Sequence, residues 1–251
     1  MLSSLALRRL AATTLLLGTI LPASAQHAAP KRQFSLPPSA DLAYSIRARQ
    51  SGLSLNGEAK LTWRNSAGKF SIATETRSAL VGKIVEANSE GSVDAFGLAP
   101  ATFIEKRWRK EATTTTFDRA TKTITFVPAA TSYPLLGGEQ DRNSAIWQLI
   151  AVARANPTAF KANSDWDFFV AGARDAEPWL FKVSGEEKMA TALGEQRAVH
   201  ITRAPPPDSK GQQLDIWLAP GLEWYPVKLR FSDADGDFIE QSLEKIGKVA
   251  G

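Results

Sequence analysis

Residues 214–231, LDIWLAPGLEWYPVKLRF, constrain the fold more than any other stretch of this chain. Leu214, Ile216 and Leu218 alternate with Asp215 and Trp217, and after a break at Ala219-Pro220-Gly221 the residues Val227, Leu229 and Phe231 alternate with Lys228 and Arg230. Period-2 alternation on both sides of a Pro/Gly break predicts a β-hairpin with one buried face. Pro226 opens the second strand, where a missing N–H costs least. The loop carries Trp224 and Tyr225, two aromatic rings that a turn does not need.

The same alternation fills most of the chain. Leu42, Tyr44, Ile46 and Ala48, then Leu53 through Trp63, then Phe70, Ile72, Thr74 and Thr76 predict three strands of an antiparallel meander. Gly97-Leu98-Ala99-Pro100 reads as a turn into a strand over residues 102–110, and Asp118-Arg119-Ala120-Thr121 as a hairpin turn between threonine-rich strands. Further strands are expected over residues 166–170, 178–184, 197–203 and 238–243, with residues 186–194 ambiguous. One segment breaks the pattern. Ile146, Leu149, Ile150 and Ala153 fall at helical spacing, with Asp141 or Asn143 as N-cap and Asn156-Pro157 as the stop. About a dozen strands, one amphipathic helix and no strand–helix alternation point to a mainly β fold: an antiparallel, strongly curved sheet or partly open barrel with the helix packed in or across it.

The chain begins with Arg8-Arg9, an apolar run over residues 10–21 and Ala23-Ser24-Ala25, the three parts of a secretory signal with cleavage after Ala25. The apolar run falls short of the ~20 residues of a spanning helix, so the mature chain is expected to be periplasmic and not membrane-spanning. Residues 26–40 read as a disordered lead-in rich in Pro, Ala and charge, 41–246 as a single β domain and 247–251 as a tail. Loss of the signal lowers the net charge from +4 to +2, which gives no support to a nucleic-acid partner.

The chain has no cysteine and two histidines, His27 in the lead-in and His200 within the domain. Thiol chemistry is excluded, and a Ser-His-Asp triad or a two-histidine zinc site lacks its residues. No P-loop or GxGxxG occurs, so no cofactor is expected. Asp233-Ala234-Asp235-Gly236 lacks the terminal Glu of a calcium loop at the right spacing and reads as a hairpin turn. Carboxylate pairs, Glu139 with Asp141 and Asp165 with Asp167, leave a carboxylate-only hydrolase as a distant third reading.

Two features suit a binding protein. Arg107, Trp108 and Arg109, within the basic run 105–110, could form an edge-guarding strand or a site where guanidinium forks take an anionic headgroup. Seven tryptophans exceed what the core requires, so Trp217, Trp224 and Tyr225, together with Ile146 and Ile150 on the helix, are candidate ligand contacts. The first reading is therefore a non-enzymatic protein holding an apolar or amphipathic envelope molecule. The alternative is an interaction module with a filled core and an envelope protein as its partner.

Several short motifs occur in a fixed order: Gly97-Leu98-Ala99-Pro100, Gln140-Asp141-Arg142-Asn143-Ser144, Leu193-Gly194, Trp217-Leu218-Ala219-Pro220 and Tyr225-Pro226-Val227-Lys228-Leu229. Together they resemble the bacterial exported domain-of-unknown-function family 3108 over roughly residues 40–246. The resemblance implies an exported, mostly β protein of cell envelopes and brings no catalytic residues with it. In outline it is also similar to the curved-sheet-plus-helix carriers of bacterial lipoproteins, an analogy of fold alone.

Overall fold

The computed structural model describes residues 29–205 and 211–249; the segment expected as a signal, the start of the lead-in, most of the Pro205-Pro206-Pro207-Asp208 connection and the last two residues of the tail lie outside these. Among the described residues fifteen strands form one mixed sheet around a single α-helix. From the centre outwards, β1 (Ala40–Gln50), β2 (Leu53–Ser66), β3 (Lys69–Ser78), β4 (Gly82–Asp94) and β5 (Gly97–Arg107) make a meander that ends in β6 (Thr113–Asp118), β7 (Thr123–Val127) and β8 (Ser132–Pro134). The chain then crosses to the other edge with β9 (Gln140–Asp141) and α1 (Arg142–Ala155). It returns through β10 (Asp165–Ala171), β11 (Ala176–Thr191), β12 (Gly194–Arg203), β13 (Gln213–Leu218), β14 (Pro226–Ser232) and β15 (Phe238–Lys248), which pairs antiparallel with β1. Only β9 and β10 run parallel, on either side of α1.

The expected curvature has identifiable causes. Register shifts at Ala43/Tyr44, Thr76/Arg77, Glu90/Gly91 and Val183/Gly185 bend long strands and add twist. Gly91 is required where β4 approaches β5: a Cβ there would lie 2.2 Å from the Ala99 carbonyl oxygen. Gly97–Pro100, expected as a turn, is instead the first part of β5, and Pro100 is tolerated because it faces this irregularity. The ambiguous residues 186–194 complete a long β11–β12 hairpin. Strands such as β8 and β9, two or three residues long, leave little sequence pattern, which is why about a dozen were expected.

The sheet curls without closing by backbone ladders. Side chains tie the β9–β10 end to β4, β5 and β6: Gln140 Nε2 donates to the Leu98 carbonyl (2.7 Å), Thr115 Oγ1 to that of Gly172 (2.7 Å) and Ser89 Oγ to Asp141 Oδ2 (2.5 Å). α1 lies inside the curl. Rather than one apolar face, it buries nearly its whole circumference from Ser144 to Ala153 apart from Ile146, as a run with so few polar positions should. Its one long polar side chain there, Gln148, accepts from Leu98 N (2.8 Å) and donates to Phe96 O (2.8 Å). Trp147 stacks on Trp63 at 4.4 Å, and Trp63 Nε1 donates to Pro37 O at 3.0 Å.

The described part of the lead-in is not the disordered segment its composition predicts. Phe34 and Leu36 pack against the core, Ser35 N donates to Ala151 O (2.9 Å), and Arg32 pairs with Asp167 (2.6 Å). Apolar residues at every second position give this strap enough contact to offset its ordering entropy.

Candidate functional site

The interior divides into a filled half and an empty half. At one end the strap, the Ala219–Tyr225 loop and the C-terminal half of α1 meet in an aromatic plug. Trp224 packs edge-on to Phe160 (5.7 Å), Tyr225 edge-on to Trp147 (6.0 Å), and the Tyr225 hydroxyl donates to Pro38 O (2.7 Å). Burial and the nearby Glu223 charge push the Tyr225 hydroxyl up to about 12. At the other end the strands outrun the helix. They leave a cavity of about 600 Å³, open to solvent beyond the strand ends and within the usual size range of ligand pockets.

Its wall follows from strand parity. Tyr44, Ile46 and Ala48 of β1 point inward, beside Leu229, Phe231 and Ile239 of the adjoining C-terminal strands. The first turns of α1 supply Ile146 and Trp147. The Tyr44 hydroxyl donates to Pro226 O (2.9 Å), and full burial raises its pKa. The cavity is therefore mainly aliphatic and aromatic, with its polar groups gathered at the helix start and the strand ends.

The polar group with the most defined geometry is the Arg203–Glu177 pair. Arg203 is 7% exposed, lies 4.6 Å over the Trp179 ring, and donates to Glu177 (2.5 Å) and to Gln212 O (3.2 Å). Glu177 also accepts from Trp179 Nε1 at 3.0 Å. Burial lowers the Arg203 pKa, the Glu177 charge opposes that shift, and the Arg142 charge adds to it. Arg142, the first residue of α1, lines the same wall; among the described residues its side chain has neither an ion pair nor a hydrogen bond. On the far wall Glu105 is engaged by Arg107 at 2.7 Å.

The residues singled out from sequence are scattered by this geometry. Arg107 and Ile146 line the cavity. Ile150 lies one turn deeper in the packed core, and Trp224 and Tyr225 belong to the plug. Trp217 is on the outer surface, stacked on His200 at 4.4 Å and 2° and bonded through Nε1 to Glu187. Trp108 and Arg109 form a hairpin tip outside the cavity, with the guanidinium 4.1 Å over the indole. That tip, 46% exposed at Trp108, follows the cavity-lining Arg107 in sequence, and the exposed Leu53 and Leu80 (78%) lie two residues from the cavity-lining Leu55 and Ser78. Arg142, Arg203, Glu177 and Trp179 were not singled out. Parity carried the signal: Arg203 shares the inward register of Val199 and Ile201, and Glu177 that of Trp179 and Phe181.

His200 is committed elsewhere. Its Nε2 lies 2.9 Å from Asp215 on the outer surface, and Thr202 and Gln213 also donate to that carboxylate. Burial works against ionisation of Asp215, but these donors outweigh it and hold its pKa below the usual value. Among the described residues no cluster of three or more His, Asp or Glu could hold a metal ion, and no helix is long and apolar enough to cross a membrane.

A curled sheet plugged at one end by a buried helix, with an apolar cavity at the other, defines a β-cup. The chain belongs to the family described as "Protein of unknown function (DUF3108)", whose model matches residues 43–244. No curated protein matches the sequence. Among solved structures it is similar to a β-barrel-like protein of domain-of-unknown-function family 1849 from Brucella abortus, at 11% identity and TM-score 0.59, covering 86% of this chain and 100% of that one. That likeness shows the fold alone. A candidate outer membrane lipoprotein-sorting protein domain from Vibrio parahaemolyticus overlaps 85% of this chain and 86% of its own at 9% identity, but its TM-score of 0.31 carries no argument.

Proposed function

We propose that the protein is a non-catalytic binding protein of the cell envelope, exported by its N-terminal signal, which holds an apolar or amphipathic molecule in the cup. The observation that carries this reading is the cavity of about 600 Å³. A core that only needed filling would use larger side chains than Ala48, Ala59 and Thr74 on its wall, because empty apolar volume destabilises a fold. The exposed Leu80 and Trp108, close in sequence to lining residues, suit a ligand that arrives from an apolar phase.

The competing readings have less support. Glu105 and Glu177 are both engaged by arginines, so neither stands as a free catalytic acid. A module joining partners through its sheet edges would present longer edges than the three residues of β8, one of them Pro134, and the two of β9.

An apolar fluorescent probe tests the proposal. It should bind saturably, quench tryptophan emission and, at a hundred times its Kd, raise Tm by roughly 5–10 °C through mass action. Ala48→Phe, which fills the cavity from β1, should abolish binding while the fold is retained. Absence of saturable binding, or binding unaffected by Ala48→Phe, overturns the proposal.

A further inference from the structure

Two guanidinium groups and one carboxylate meet on one wall of a mainly apolar cavity. Arg203 shares Glu177 with Trp179, so the carboxylate oxygen it uses is already doubly engaged. Arg142 has no anion among the described residues, although it shares the cavity lining with Ile146, Trp147 and Trp179. Gly172 leaves room for it: a Cβ there would lie 2.7 Å from Arg142 Nη2. A cation set against apolar surface, beside a second buried cation, is unfavourable unless an anion completes it.

We propose that Arg142 and Arg203 form a subsite for the oxyanionic headgroup, carboxylate or phosphate, of an amphiphile whose chain occupies the apolar part of the cavity. The inference rests on the reading of the cavity as a ligand site and names the chemistry of its occupant. An oxyanion between the two guanidiniums takes charge-assisted hydrogen bonds from Arg142 and relieves the repulsion between the arginines. Planar guanidinium forks suit carboxylate and phosphate alike. The chain of the ligand runs from this wall across the apolar lining residues Ile46, Leu229, Phe231 and Ile239. Recognition is therefore divided: the chain supplies most of the affinity, and the arginine pair selects the anion and fixes its orientation.

The test compares four ligands by calorimetry on the full mature chain: decanoate, decyl phosphate, decanol and inorganic phosphate. The expected result is that decanoate or decyl phosphate binds at least ten-fold more tightly than decanol. Arg142→Gln should remove that ten-fold preference and leave decanol binding unchanged, and Arg142→Lys should restore part of it. Arg142 is half-buried and makes no ion pair, so this variant tests the subsite without the folding risk of Arg203→Gln. If decanol binds as tightly as decanoate, or if Arg142→Gln weakens both equally, the anion subsite is overturned while the carrier reading stands. Inorganic phosphate binding as tightly as decyl phosphate would overturn the amphiphile and leave a free oxyanion as ligand. Failure of every chain-bearing ligand, with the apolar probe also unbound, removes the carrier reading beneath it.

Discussion

Asp141 has two structural roles at one carboxylate. It caps α1 by accepting from Asn143 N (2.8 Å) and Ser144 N (2.9 Å), and it takes the Ser89 hydroxyl across the open edge of the sheet. Burial raises its pKa to about 6 against the pull of these donors. The native protein therefore holds a proton that the unfolded chain has already released between about pH 4 and pH 6. Its contribution to stability is present below the lower limit, falls as pH rises through that window and is flat above it. Asp141→Asn should remove this component. Urea titrations of both proteins should give a stability difference that shifts towards the variant, on the order of 3 kcal/mol, between pH 4 and pH 6. A constant difference would show that the carboxylate is not strongly desolvated. His200→Gln makes the opposite point. With its ring bonded to Asp215 outside the cup, ligand binding should be unchanged, and a loss of binding without loss of folding would reopen the enzyme reading. At this scale most of the residues singled out from sequence are not those that line the cavity. Sequence reading weighed residue type, which drew attention to the Trp108 cluster, when inward parity at the ends of β11 and β12 was the better guide.

At the scale of elements, α1 and the strap depend on each other. The spacing of Ile146, Leu149, Ile150 and Ala153 made the helix legible, and Asp141 marked its start. What spacing could not show is that Gln148 replaces a missing edge of sheet by serving the backbone of Phe96 and Leu98. Gln148→Leu keeps the volume but leaves a buried N–H and a buried carbonyl unpaired, and should cost about 2–4 kcal/mol in chemical unfolding. An effect near zero would mean that water reaches both groups. The strap was misread because its composition resembles a flexible tail, whereas its fit to the plug is a tertiary property. Deleting residues 26–39 removes Phe34 and Leu36 from the core they pack against and strips Trp63 Nε1 and the Tyr225 hydroxyl of their acceptors. The expected loss is roughly 3 kcal/mol or more, measured by denaturant midpoint. Unchanged stability would reduce the strap to a bystander.

On the scale of the whole molecule, local alternation gave the strands but not the long-range pairing that makes them a cup. The decisive contact joins the two ends of the domain: β1 and β15 pair from Ala40↔Lys248 to Arg49↔Phe238. No local pattern specifies a pairing across nearly the whole domain, so open sheet and barrel remained equivalent in sequence. The structure resolves this with two unlike sides. Along β2, β1, β15 and β14 the ladder is continuous, whereas opposite it the β9–β10 end meets β4 and β6 through single side-chain bonds such as Thr115 with Gly172 and Ser89 with Asp141. Opening that seam breaks few bonds and leaves the ladder intact, so the cup should breathe there first. Amide hydrogen exchange should be slowest in β1, β2 and β15 and fastest in β8, β9 and the adjoining residues 172–175. A bound amphiphile should then slow exchange in the mouth-side halves of β1 to β4, which touch the cavity, and leave the plugged end unchanged. Equal protection on both sides of the sheet would mean that the seam is as firm as a backbone ladder and that the molecule behaves as a closed barrel.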